Sequence, residues 1–110
     1  MQMVYISVEP KINVPFHLRH LLTCLPGEIL RLRFGYTGQP KPTIEWDKDG
    51  RDIKGPRYEI KTTDKESVLI IYKVAKEDAG KYTMVATNSL GHDTASIEIQ
   101  ILSKYCVLCF

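Results

Sequence analysis

Cys106 and Cys109, spaced as C-x-x-C, are the clearest candidates for chemistry in this chain. Such a pair can give two thiolates to a tetrahedral zinc ion, which then needs two more nitrogen or sulfur ligands. The remaining candidates are Cys24, His17, His20 and His92. His17 and His20 stand in "HLRH" with no helical pattern around them, and no second pair has ligand spacing. The expectation is a reduced thiol pair on a C-terminal tail and no metal. The tail also fails the prenylation pattern, whose cysteine must stand fourth from the end. Nucleophilic chemistry fares no better. Ser7, Ser67, Ser89, Ser96 and Ser103 lie in no nucleophile-elbow context, and no histidine is placed to activate a nucleophile. No glycine-rich phosphate loop opens a helix. No catalytic residue and no cofactor are expected.

Composition sets the class. At 110 residues, 44% hydrophobic and 25% charged, the chain fits one globular domain. The net charge of +2 is too small to imply nucleic-acid binding. Arginines are not interleaved with aromatics as in single-strand binders. No apolar run reaches the roughly 18–20 residues of a membrane span, and the N-terminus lacks a signal-peptide pattern. Neither a nucleic acid nor a membrane is an expected partner.

Period-two alternation dominates what remains. Leu30, Leu32 and Phe34 alternate with Arg31 and Arg33, and Ile44 and Trp46 with Thr43, Glu45 and Asp47. Tyr82, Met84 and Ala86 alternate with Lys81, Thr83 and Val85; Ala95, Ile97, Ile99 and Ile101 alternate with Ser96, Glu98 and Gln100. Each run reads as a half-buried strand with a wet outer face. Turn signals part them: "YTGQPKP", "DKDG" and "NSLG". The spacing predicts strands near Lys11–Val14 and Leu21–Leu25, then Glu28–Tyr36, Thr43–Lys48 and a short one near Asp52. Further strands follow at Tyr58–Thr62, Ser67–Tyr72, Gly80–Asn88 and Asp93–Leu102. Ala75 to Asp78 forms one helical turn at a corner. The pattern is that of an all-β sandwich or barrel.

Phe34, Trp46, the "LIIYKV" run with Leu69, and "EDAGKYTMVATNSLG" stand in order at consistent spacing. Together they resemble an immunoglobulin domain of the intermediate (I) set. The resemblance covers residues 10–103, with 1–9 as a lead-in or linker and 104–110 as a tail. The short separation between Trp46 and Leu69 leaves no room for the extra strand of a variable domain. The resemblance implies two antiparallel sheets, a core signature of Phe34, Trp46, Leu69, Tyr82 and Met84, and a tyrosine corner with Asp78 and Gly80. Asp78 is expected to pair with a basic residue such as Arg57. The family's usual inter-sheet disulfide would join the positions held here by Phe34 and Met84, so none is expected. Losing it costs roughly 2–4 kcal/mol, and burying two large apolar side chains returns about 1.5–3 kcal/mol each. A reducing compartment favours that solution.

Immunoglobulin domains of this kind are similar to modules of giant muscle proteins such as titin, twitchin and myosin-binding protein C. The likeness extends to "EPKINVPFHLRH", to "GQPKPTIEWDKDG" and to "SIEIQILSK". It implies a non-catalytic, cytoplasmic, sarcomeric module that spaces and binds. Expected partners are neighbouring immunoglobulin or fibronectin type III domains, and myosin or another thick-filament protein. The alternatives are an extracellular adhesion or receptor domain, against which the lack of an N-x-S/T acceptor counts, and a domain that regulates a kinase in the same chain. Arg31, Arg33 and Lys61 are expected outward on one sheet, with Val68, Ile70 and Tyr72 forming an exposed apolar patch between them. Such a rimmed patch suits a protein partner, or cover by the N-terminal segment or a neighbouring domain. The other sheet is expected to show Glu45, Asp47, Lys81 and Glu98.

Overall fold

In a computed structural model the residues described are 7–15 and 21–102. The candidate ligands His17, His20, Cys106 and Cys109, with most of the expected lead-in and the 104–110 tail, lie outside them. Among the described residues nine strands form in order: β1 (Val8–Asn13), β2 (Leu21–Cys24), β3 (Leu30–Gln39), β4 (Thr43–Lys48), β5 (Arg51–Asp52), β6 (Tyr58–Thr62), β7 (Glu66–Ile71), β8 (Gly80–Asn88) and β9 (Gly91–Ile101). A 3₁₀ turn, Lys76–Asp78, stands where one helical turn was expected. One sheet has the order β1-β3-β7-β6 and the other β2-β9-β8-β4-β5. All pairings are antiparallel except β2 with β9, which run parallel.

Alternation decides which side chains meet between the sheets. Leu30, Leu32, Phe34 and Tyr36 from β3 and Leu69 and Ile71 from β7 close one wall. Trp46 from β4, Tyr82, Met84 and Ala86 from β8, and Ile97 and Ile99 from β9 close the other. Stacking two sheets in this way buries one face of each strand and leaves the other in water.

Several strand limits differ from the expectation. The first strand begins at Val8, inside the expected lead-in, because Val8 pairs with Gln39. For the same reason β3 continues past Tyr36 through Gly38, which was read as part of a turn. Gly38 has φ of 151°, and a Cβ there would sit 2.7 Å from Pro42 and 3.2 Å from Pro10. Only glycine lets β1 lie this close to the Pro42 turn. β9 starts at Gly91 rather than Asp93, since Gly91 pairs with Asn88 across a two-residue loop. The Asp49–Gly50 turn has φ of 53° and 81°. Both central residues are left-handed, as a tight hairpin with the sheet's own twist requires.

Candidate functional site

The five expected core residues lie between the sheets in one cluster. Phe34, Leu69, Tyr82 and Met84 are fully buried, and Trp46 is 6% exposed. Phe34 and Trp46 stack across the interface with ring centroids 5.3 Å apart and planes at 28°. Met84 is the register partner of Trp46. A bulky aromatic and a thioether thus occupy the positions where the resemblance would place a disulfide. The Trp46 indole N–H donates to Ser67 Oγ at 2.9 Å, and Ser67 Oγ lies 2.9 Å from Thr62 Oγ1. Ser67 is wholly buried and opposite Phe34 in the β3–β7 register. In the sequence it stands in no nucleophilic context. Its signal was an inward position on an otherwise apolar strand, where a hydroxyl must have a buried partner.

The corner is built around one carboxylate. Asp78 is fully buried. Its Oδ2 accepts from Arg57 Nη1 at 2.6 Å and from the Ala75 N–H at 2.8 Å. Its Oδ1 accepts from Arg57 Nη2 at 3.0 Å and from the Tyr58 hydroxyl at 2.6 Å. The pairing with Arg57 is bidentate, the stronger form of a carboxylate–guanidinium contact. Burial pushes the Asp78 carboxyl up, but the bonds from Arg57, Tyr58 and Ala75 with the charge of Arg57 outweigh it. The carboxyl stays below the usual carboxylate range. The Tyr82 hydroxyl donates to the Asp78 carbonyl at 2.7 Å, and burial drives the phenol pKa well above its ordinary value. Gly80, the other corner residue, has φ of 150°, and a Cβ there would meet Asp49 Oδ2 at 2.6 Å. That close approach lets Asp49 Oδ1 accept the Lys81 N–H at 2.9 Å and tie the corner to the β4–β5 turn. Arg57 was expected; the Tyr58 bond was not, because a tyrosine at a strand start carries no local sign of its hydroxyl's target.

The outer face of the β1-β3-β7-β6 sheet differs from expectation. Arg31, Arg33 and Lys61 are exposed. Val68 and Ile70 do face outward, since neither belongs to the core cluster, yet they are only 7% and 6% exposed. Val68 lies between Arg33 and Lys61, and Ile70 between Arg31 and Glu59. Long side chains at such positions can lay their aliphatic stems over apolar neighbours while their charged ends stay in water. Val68, Ile70 and Tyr72 thus form no exposed apolar patch on this face. Tyr72 is half-buried and donates its hydroxyl to Glu59 at 2.5 Å. Arg33 pairs with Glu66 at 3.3 Å. Among the described residues Arg31 and Lys61 make no ion pair. On the opposite sheet Glu45, Lys81 and Glu98 are exposed and Asp47 half-buried.

Two of the metal candidates are now separable. Cys24 is paired with Ile101 at one end of β9, and His92 lies near the other end. Nine residues of strand place them about 30 Å apart, so they cannot share an ion. Cys24 is a free, buried thiol whose pKa is raised by burial and then by Glu28. Its thiolate is therefore scarce at neutral pH. A disulfide-exchange reagent is expected to label Cys24 at least ~tenfold more slowly in the folded chain than in denaturant. Mass mapping of timed aliquots measures this, and equal rates would place Cys24 at the surface.

Comparison with known proteins places these features. The sequence matches the family described as "Immunoglobulin I-set domain" over residues 17–101. It is 32% identical over 96 residues to the fast-type myosin-binding protein C of Mus musculus, covering 87% of this chain and 8% of that protein. It is 31% identical over 99 residues to the Mus musculus myosin-binding protein H, covering 90% of this chain and 20% of that protein. The chain thus spans only a small part of the relatives it matches. Among solved structures, titin domains A168–A170 superpose with a TM-score of 0.82 at 28% identity, over 87% of this chain and 34% of that one. Titin domain M7 superposes with a TM-score of 0.80 at 29% identity, over 91% of this chain and 100% of that one.

Proposed function

This chain belongs to the immunoglobulin I-set family, and from that premise we propose that it is a non-catalytic structural and protein-interaction module of a sarcomeric multidomain protein. The observation that carries the reading is the bridge position, where fully buried Phe34 and Met84 do by packing what a disulfide does elsewhere. That replacement suits a reducing compartment, where a bridge would not persist. Relatives named for binding myosin and structural neighbours from titin favour muscle. Its partners in the parent chain are then neighbouring immunoglobulin or fibronectin type III domains.

Two features suit the role. The parallel ladder of β2 on β9, from Leu21 opposite Glu98 to Cys24 opposite Ile101, lies near both ends of the unit. Tension along the chain loads such a ladder in shear, so its hydrogen bonds share the force and the barrier to unfolding governs survival. The outer face of β3 offers Arg31 and Arg33 in alternate positions. Exposed like charges in a row steer association with an acidic surface such as a myosin filament, with a strong dependence on salt.

The test is cosedimentation of this chain with purified myosin filaments at low and moderate salt, beside an Arg31→Glu, Arg33→Glu variant. Wild type is expected to pellet at low salt, to dissociate as salt rises, and to lose at least ~tenfold in affinity in the variant. Pelleting that the variant retains would move the contact to another face. No pelleting of either would leave a spacer without a filament contact of its own.

A further inference from the structure

Strand β6 ends its sheet, and among the described residues it pairs only with β7. The phase of that ladder fixes which backbone groups are free. Thr63 N donates to Glu66 O and Tyr72 N to Arg57 O, so the odd-numbered residues of this segment face β7. Antiparallel alternation then turns the N–H and C=O of Ile60 and Thr62, and the C=O of Tyr58, outward along the open edge. Ile60 is 45% exposed although it lies in register with the buried Leu69 and on the core side of the strand. The opposing sheet does not reach over it, since it ends in the two-residue β5.

From this edge we propose that β6 is a homotypic interaction site, pairing antiparallel with β6 of a second copy of this chain about a two-fold axis through Ile60. The register follows from self-complementarity. With Ile60 opposite Ile60, each Ile60 N–H reaches the other's C=O, and each Thr62 N–H reaches the other chain's Tyr58 C=O. Glu59 of each copy then lies opposite Lys61 of the other, at the closer, non-hydrogen-bonded positions of the ladder. The axis repeats that opposite-charge pair, as a self-complementary two-fold contact requires. On the other face the two exposed Ile60 side chains cover each other, with Tyr58 beside Thr62. Shifting the register by two residues in either direction breaks both charge pairs, so the edge specifies one alignment. Charged side chains on an edge strand usually deter pairing; here their order deters other edges and suits its own.

A contact of five residues per copy is small, so a weak dimer is expected, strengthened where copies are held close together. Sedimentation equilibrium of the 110-residue chain from ~10 μM to ~1 mM measures it, with amide shifts as a map. Wild type is expected to self-associate, with Ile60 and Thr62 amides moving as concentration rises. Lys61→Glu sets carboxylates opposite each other at both pairs and is expected to weaken association at least ~tenfold. Glu59→Lys combined with Lys61→Glu restores opposite charges and is expected to return it to within ~threefold of wild type. Ile60→Pro removes an outward N–H that no bond among the described residues uses, and is expected to abolish pairing with the far-UV spectrum unchanged. A wild type that stays monomeric at ~1 mM would overturn the proposal. So would a charge swap that fails to restore association, or amide shifts that map to another edge.

Discussion

Phe34→Ala is expected to lower the unfolding free energy by about 3–5 kcal/mol, the range for removing a buried phenylalanine. The ring is fully buried, stacks on Trp46, and stands opposite Ser67 in the register. Alanine would leave a cavity between two sheets that their own hydrogen bonds hold in place, so collapse to fill it is limited. The loss of the stack adds to the lost transfer energy. It also loosens the indole whose N–H satisfies the buried Ser67 hydroxyl. For a domain with a total stability of 5–15 kcal/mol, roughly half is at stake. Urea titration measures the effect, with an unchanged m-value showing that the unfolded reference is the same. Phe34→Leu keeps most of the volume and is expected to cost less than ~1.5 kcal/mol. An alanine variant that loses under ~1.5 kcal/mol would mean that Met84 and Trp46 repack across the gap, and that the aromatic does not stand in for a bridge.

Why this core was legible and the outer face was not comes down to what alternation encodes. Period two tells which face of a strand is wet or dry, and turn residues such as Asp49–Gly50 tell where it reverses. Those two signals place Phe34, Trp46, Tyr82 and Met84 on inward faces without knowledge of any partner strand, whereas Leu69, on a strand apolar on both faces, is placed by the resemblance alone. The fate of Val68 and Ile70 depends on the register. They are covered because β3 sets Arg33 and Arg31 on one side of them and β6 sets Lys61 and Glu59 on the other. A one-residue slip would turn them to the core side and Leu69 and Ile71 to the outer one, and on a strand apolar on both faces no local pattern fixes that slip. The same dependence hides the Ser67 bond to Trp46, which joins residues in different sheets. Strand β1 begins at Val8, ahead of the expected Lys11. Its Pro10 argues against a central strand, but at the edge of a sheet a residue without an N–H costs nothing on the open side.

The corner carboxylate should dominate the acid limb of stability. Asp78→Asn keeps the size but removes the charge that a bidentate Arg57 and the Tyr58 hydroxyl address. A loss of about 3 kcal/mol at pH 7 is expected, within the range for breaking a buried hydrogen-bonded ion pair. The sign with pH follows from the depressed pKa of Asp78 in the fold. An acid that ionises more readily folded than unfolded adds stability that is complete above the unfolded value, about 3.9. That stability is lost as pH falls through the lower, folded value. The midpoint of thermal unfolding, measured from pH 7 to pH 2, should therefore fall more steeply below ~pH 4 in wild type than in Asp78→Asn, and the two curves should converge. Arg57→Leu separates the causes. Without the guanidinium, burial is opposed only by the bonds from Tyr58 and Ala75, and the Asp78 carboxyl is expected to move up. A raised acid contributes stability below its unfolded pKa that is lost as pH rises through the folded value. The Arg57→Leu deficit should then be largest at neutral pH and shrink on acidification to ~pH 4. A deficit in Arg57→Leu that stays constant with pH would mean that Arg57 acts through its bonds to the Tyr72 and Lys73 carbonyls, with the buried carboxylate held by Tyr58 and Ala75 alone.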